Sequence, residues 1–212
     1  MPQQVDNANH NKNFLNIIIG TCDILDYYNI IIRLKKKFNE NGRFTPKTKK
    51  DLVNAIECFM KDKKSSLNIF GDMNTWDVSK ITDMSCLFQW QTNFNEDISN
   101  WDVSNVTNMK EMFYKCKNFN KDISKWDVSN VTNMEGMFKW CEKFNQSLNK
   151  WNVSKVTNMS CMFHMCRNFN KTIDNWKVSS LEYYNCMFSG CKYYEPRYNR
   201  PEWYNNIKFK NL

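Results

Sequence analysis

The chain has 212 residues, of which 42% are hydrophobic, 15% aromatic and 25% charged, with a formal net charge of +8. That apolar content excludes a disordered polymer and suffices for one packed domain. No stretch reaches the ~20 uninterrupted apolar residues of a membrane span, so no transmembrane segment is expected.

Residues 1–13 are polar and rich in Asn, which predicts a disordered leader. Residues 14–44 form an apolar and basic segment. Leu15, Ile18, Cys22, Leu25 and Ile32 fall at helical spacing, while the triplets at 17–19 and 30–32 are β-branched and keep a strand open. Met1 to Lys12 is polar and the apolar run after it is broken by Asn16, Gly20 and Asp23. This pattern predicts no signal peptide and an intracellular, reducing setting.

Asn41-Gly42 marks a turn, and Thr45-Pro46 predicts a helix start with Thr45 as the cap. Residues 45–75 then read as a capping helix followed by half a coil. Leu52, Val53, Ile56, Phe59 and Met60 are its predicted buried stripe. The window 33–64 holds eleven Lys/Arg against four Asp/Glu, whereas 67–212 is nearly balanced. Lys35, Lys36, Lys37, Lys47, Lys49 and Lys50 are therefore candidates for contact with an anionic surface or nucleic acid.

Tryptophan then recurs every 25 residues, at Trp76, Trp101, Trp126, Trp151 and Trp176. The shared phrase is W-D-V-S-x-V-T-N-M-x-x-M-F-x-x-C-x-x-F-N-x-x-I-x-x. A fixed period of this length predicts about five stacked coils over 76–195. The Trp-Asp-Val segment has the composition of a short strand. Val106, Met109, Met112, Phe113 and Cys116 are spaced like one face of a short helix or 3₁₀ turn, with Thr107 as its cap and Thr132/Glu135 as a capping box. Phe88 and Phe94, with their copies, are expected to fill the interior. After Glu195 the phrase fails, and Pro196, Pro201 and a displaced Trp203 make 196–212 a predicted C-terminal cap.

These residues resemble the BspA-like leucine-rich-repeat surface-protein family, from about Phe44 to about Cys191. The resemblance implies an α/β, leucine-rich-repeat-like solenoid of strand-turn-short-helix coils with an N-terminal helical cap. It also implies protein contact or adhesion without enzymatic activity or cofactor. The missing lipoprotein cysteine departs from the bacterial surface members. The Asn- and Lys-rich composition points instead to a member from a large DNA virus.

Candidate chemistry is sparse. The histidines are His10 and His164, with no evident nucleophile–base pair and no phosphate-binding glycine loop. Asp77, Asp102 and Asp127 form an acidic row of the kind that caps turns. Cys116, Cys141, Cys166 and Cys191 form one ladder, and Cys86, Cys161 and Cys186 a partial second. The first four are expected to be buried, reduced core residues. The Asn-x-Ser/Thr sites belong mostly to the repeat phrase, where turn hydrogen bonds explain them. Trp90, Tyr114, Trp140 and Met165 lie just past the repeated Phe, where the period demands no apolar side chain. They are candidate contacts for a protein partner, against the alternative that they pack between coils. The expectation is a non-enzymatic interaction or structural scaffold, with anion binding as the alternative.

Overall fold

The computed structural model describes residues 29–30, 32–34, 37–196 and 199–206. The predicted leader, and most of the apolar segment before residue 37, lie outside the described residues.

Each coil opens on a buried tryptophan whose indole N–H donates to a carbonyl of the preceding coil. Trp101 reaches Met73 O at 2.8 Å, Trp126 reaches Ile98 O at 3.1 Å, Trp151 reaches Ile123 O at 3.2 Å and Trp176 reaches Leu148 O at 2.8 Å. A buried ring therefore also satisfies its one polar atom. The next side chain turns the chain: Oδ1 of Asp102, Asp127 and Asn152 accepts the serine N–H two residues on. Coils are then tied by single parallel bridges running Asp83, Asn108, Asn133, Asn158 and Tyr183.

The segment after each bridge carries the most inter-coil bonds. The N–H groups of Met84, Cys86, Phe88 and Trp90 donate to the carbonyls of Asn108, Lys110, Met112 and Tyr114 in the next coil, at 2.8–2.9 Å. The alternate N–H groups of Leu87, Gln89 and Gln91 close turns onto Met84, Cys86 and Phe88. Two residues per coil have positive φ, here Cys86 at 59° and Trp90 at 68°. Later coils repeat this at Glu111 and Lys115, Gly136 and Trp140, Cys161 and Met165, and Cys186 and Gly190.

This overturns the expected α/β leucine-rich-repeat solenoid. Among the described residues of the coils there is neither a strand nor a helix, only turns and single bridges. Two left-handed residues four positions apart in each coil are incompatible with both regular structures there. The three-residue spacing that suggested a helix comes from consecutive turns. Val106 N–H bonds Val103 O, Met112 bonds Met109, Cys116 bonds Phe113 and Phe119 bonds Cys116. The first and fourth residues of each such turn are buried. Thr107 caps no helix; its Oγ1 donates to Thr82 O of the preceding coil. Asn133, rather than Thr132, accepts the Glu135 N–H. The bridged position is this asparagine row, not Trp-Asp-Val.

Two phenylalanine columns fill the interior. Phe88, Phe113, Phe138, Phe163 and Phe188 follow one another with centroids 5.4–5.9 Å apart and planes within 7°. Phe94, Phe119, Phe144, Phe169 and Tyr194 form the second, at 5.7–5.9 Å. Burying each ring is worth about 1.5–3 kcal/mol.

Both ends are covered. Helix α1, Lys49–Lys61, is capped by Thr48 in a reciprocal box with Asp51. Thr45 is buried before it, its hydroxyl donating to Arg43 O, so the predicted cap lies three residues early. Leu52, Ile56 and Phe59 are buried, with Val53 and Met60 packed beside them. Helix α2, Lys63–Phe70, follows directly. Phe44, Phe59 and Phe70 surround Trp76 with centroids 5.1–6.1 Å away. At the other end helix α3, Glu202–Asn206, brings Trp203 onto Trp176 at 6.1 Å and its Nε1 to Ile173 O at 3.0 Å. Tyr204 closes the column by standing edge-on to Phe188 at 5.1 Å. No helix of the described residues is long and apolar enough to cross a membrane.

Candidate functional site

Because inward positions are occupied by repeat residues, variation collects on the outer side of the turn that follows each Phe. Two adjacent rows meet there. One contains Gln89, Tyr114, Lys139, His164 and Ser189; the other contains Trp90, Lys115, Trp140, Met165 and Gly190. The second row has positive φ in all five coils, from 61° to 77°. A non-glycine residue in that region costs about 1 kcal/mol or more. Glycine would relieve the cost, yet four of the five coils carry a large side chain.

Trp90 is 57% exposed. Tyr114 meets it edge-on at 5.4 Å, and Lys115 Nζ sits 3.4 Å from its ring centroid. That ammonium lies 5.3 Å from the Tyr114 ring, with Lys139 Nζ 5.6 Å away on the same ring. Trp140 contacts the His164 ring at 6.1 Å. Gln89 Nε2 donates to Glu111 Oε2 at 2.8 Å. Burial, reinforced by Lys139, holds the His164 imidazole below its ordinary pKa. Its Nδ1 is buried without a hydrogen-bond partner. The result is a strip of aromatic rings interleaved with ammonium groups.

Of the aromatic and thioether candidates, Trp90 is fully outward, while Tyr114, Trp140 and Met165 are half-buried among their neighbours. Lys115 and Lys139 complete the strip and were not singled out by composition. Aligning the coils on Trp76 and its copies places Lys115 in the same row as Trp90 and Trp140.

The basic candidates divide. Lys35 and Lys36 lie outside the described residues. Lys37 pairs with Asp51 at 3.2 Å, and Lys49 reaches Asp83 at 3.0 Å and Ser85 Oγ at 2.5 Å. Lys47 and Lys50 are exposed. Burial pushes the Asp51 carboxyl up, but hydrogen bonds from Thr48 and Lys37 and the nearby Arg33 outweigh it. The net pKa is below the ordinary carboxylate value.

The cysteine rows also differ. Cys116, Cys141, Cys166 and Cys191 are buried, each thiol donating to a phenylalanine carbonyl of the preceding coil at 2.7–2.9 Å. Cys86 and Cys186 are exposed and Cys161 is half-buried. Among the described residues, no three of His, Cys, Asp or Glu converge to hold a metal ion. The Asp row caps turns: Asp77 and Asp102 each accept from both the N–H and the hydroxyl of a serine. Asn105 and Asn130 donate to serine carbonyls one coil back.

No curated protein and no solved structure matches the chain. One family, described as "Mycoplasma protein of unknown function, DUF285", matches residues 54–155 and again 125–210. Its match is consistent with the BspA-like repeat resemblance. Together the two spans cover well over half of the 212 residues, and the chain therefore belongs to the DUF285 family.

Proposed function

We propose that this protein is a non-enzymatic interaction scaffold whose contact face is the strip around Trp90, Tyr114, Lys115, Lys139 and Trp140. The observation that carries this reading is Trp90: a large ring, 57% exposed, held in a strained backbone position. Nothing in the coil demands a tryptophan there, since Gly190 occupies the same position. Rings flanked by ammonium groups suit a partner that offers apolar side chains beside carboxylates. The test is a pull-down with wild type and the Trp90→Ala/Trp140→Ala double variant side by side. The double variant is expected to lose the partner while keeping its circular dichroism. Loss of fold without selective loss of binding would return these rings to a packing role.

The second reading is anion or nucleic-acid binding through the basic window, supported by exposed Lys47 and Lys50 and by its charge excess. Counterion release would make such binding fall steeply between ~50 and ~200 mM salt. Salt-independent retention in a filter-binding assay excludes it. The Asn- and Lys-rich composition supports a large-virus member of the family.

A further inference from the structure

The outer cysteine row reads Cys86, Glu111, Gly136, Cys161, Cys186, so only its last two members are neighbours in the stack. Both have φ of 57°, which gives their side chains the same direction from equivalent turns. Cys161 N–H donates to the carbonyl of Asn185 at 2.8 Å, which sets Cys186 beside it across the coil boundary. Asn158 and Tyr183 of these coils form a parallel bridge, and backbones so paired lie roughly 4.8 Å apart, within the Cα range of disulfides, about 4.4–6.8 Å. Cys186 is exposed and Cys161 half-buried, so both are open to a small reagent.

We propose that Cys161 and Cys186 are an oxidisable dithiol that a hydroperoxide converts into a disulfide clasping the fourth and fifth coils. The exposed Cys186 thiolate attacks one peroxide oxygen, giving a sulfenic acid and releasing the other oxygen as water or alcohol. Cys161 sulfur then attacks Cys186 sulfur, the S–S bond forms, and the sulfenic hydroxyl leaves as a second water. Two thiols lose two electrons and two protons, and one peroxide takes them up.

Burial pushes the Cys161 thiol above its ordinary pKa, which suits it to resolving rather than initiating. The inner pair in the same two coils, Cys166 and Cys191, is also close, but both thiols are sealed and donate to Phe138 and Phe163 carbonyls at 2.7 Å. Burial raises the Cys166 pKa far above the ordinary thiol value, which withholds the thiolate that oxidation needs. The clasp would tie to the fourth coil the fifth, which helix α3 covers on its far side with Tyr204 edge-on to Phe188.

The test uses the full chain, reduced, then treated with hydrogen peroxide and mapped without reductant. The expected product is one intrachain Cys161–Cys186 crosslink, with Cys116, Cys141, Cys166 and Cys191 still alkylated after denaturation. Proteolysis within 176–206 should slow in the oxidised form. In Cys161→Ser the crosslink should be replaced by a dimedone-reactive sulfenic acid on Cys186. Serine is tolerable because this row already accepts Glu111 and Gly136, and circular dichroism checks it. A first crosslink through Cys166–Cys191 or between chains overturns the proposal. So does a stable sulfenic acid in the wild type with no intrachain disulfide.

Discussion

The inner and outer sides of one turn obey different rules in this molecule. On the inside, Phe113, Phe138 and Phe163 are interchangeable, each fully buried and stacked on its copies. On the outside, the same backbone carries Trp90, Lys115, Trp140, Met165 and Gly190 in succession. The inside repeats because every coil must present the same surface to its neighbour. The outside is under no such demand, so chemistry placed there reports on something beyond folding.

The sharpest way to break this contrast is to cut the interior. Phe138→Ala, in the central coil, is expected to destabilise by about 3–5 kcal/mol in denaturant unfolding. A loss near that of a surface substitution would mean that the columns do not hold the coils together. At the N-terminal end, Asp51→Ala removes a capping carboxylate and strips Lys37 of its partner; the expected loss is about 1–2 kcal/mol. The Asp51 pKa is depressed in the folded state. Its contribution is therefore present above the unfolded carboxylate value, about 3.9, and is lost as pH falls through the folded value. Stability of the wild type should thus fall on acidification more than that of Asp51→Ala, and parallel pH profiles would contradict this.

On the outer row the backbone itself gives a prediction. Trp90→Gly and Trp90→Ala both remove the ring, but only glycine suits φ of 68°. The glycine variant should be the more stable by about 1 kcal/mol. Equal stability would show that the left-handed position carries no strain. Smallest of all, Lys110→Ala breaks a half-exposed inter-coil pair with Glu135 at 2.9 Å and should cost less than about 1 kcal/mol.

The contrast also marks what could be read before any geometry. The stacking, the buried Trp, Phe and Val residues, and Trp203 as a displaced copy were all legible, because period and hydrophobicity carry them. The local backbone was not. Cys86, Glu111 and Gly136 share a left-handed position, and no side-chain type common to the three announces it. Inward residues three apart in successive turns then imitate one face of a helix. Thr45-Pro46 looked like a helix start, but the reciprocal pairing of Thr48 with Asp51 won. Trp90 and Trp140 stand out in the sequence as unneeded aromatics, whereas Lys115 shares their row and gains its meaning from the ammonium it sets over the Trp90 ring.

The most direct measurement is hydrogen exchange of the protein with and without its captured partner. The account predicts added protection confined to the outer turns, at 89–91, 114–115, 139–140 and 164–165, with the interior unchanged. Protection centred on α1 and its lysines, or spread evenly along the coils, would contradict the claim that the outer strip is where this scaffold makes contact.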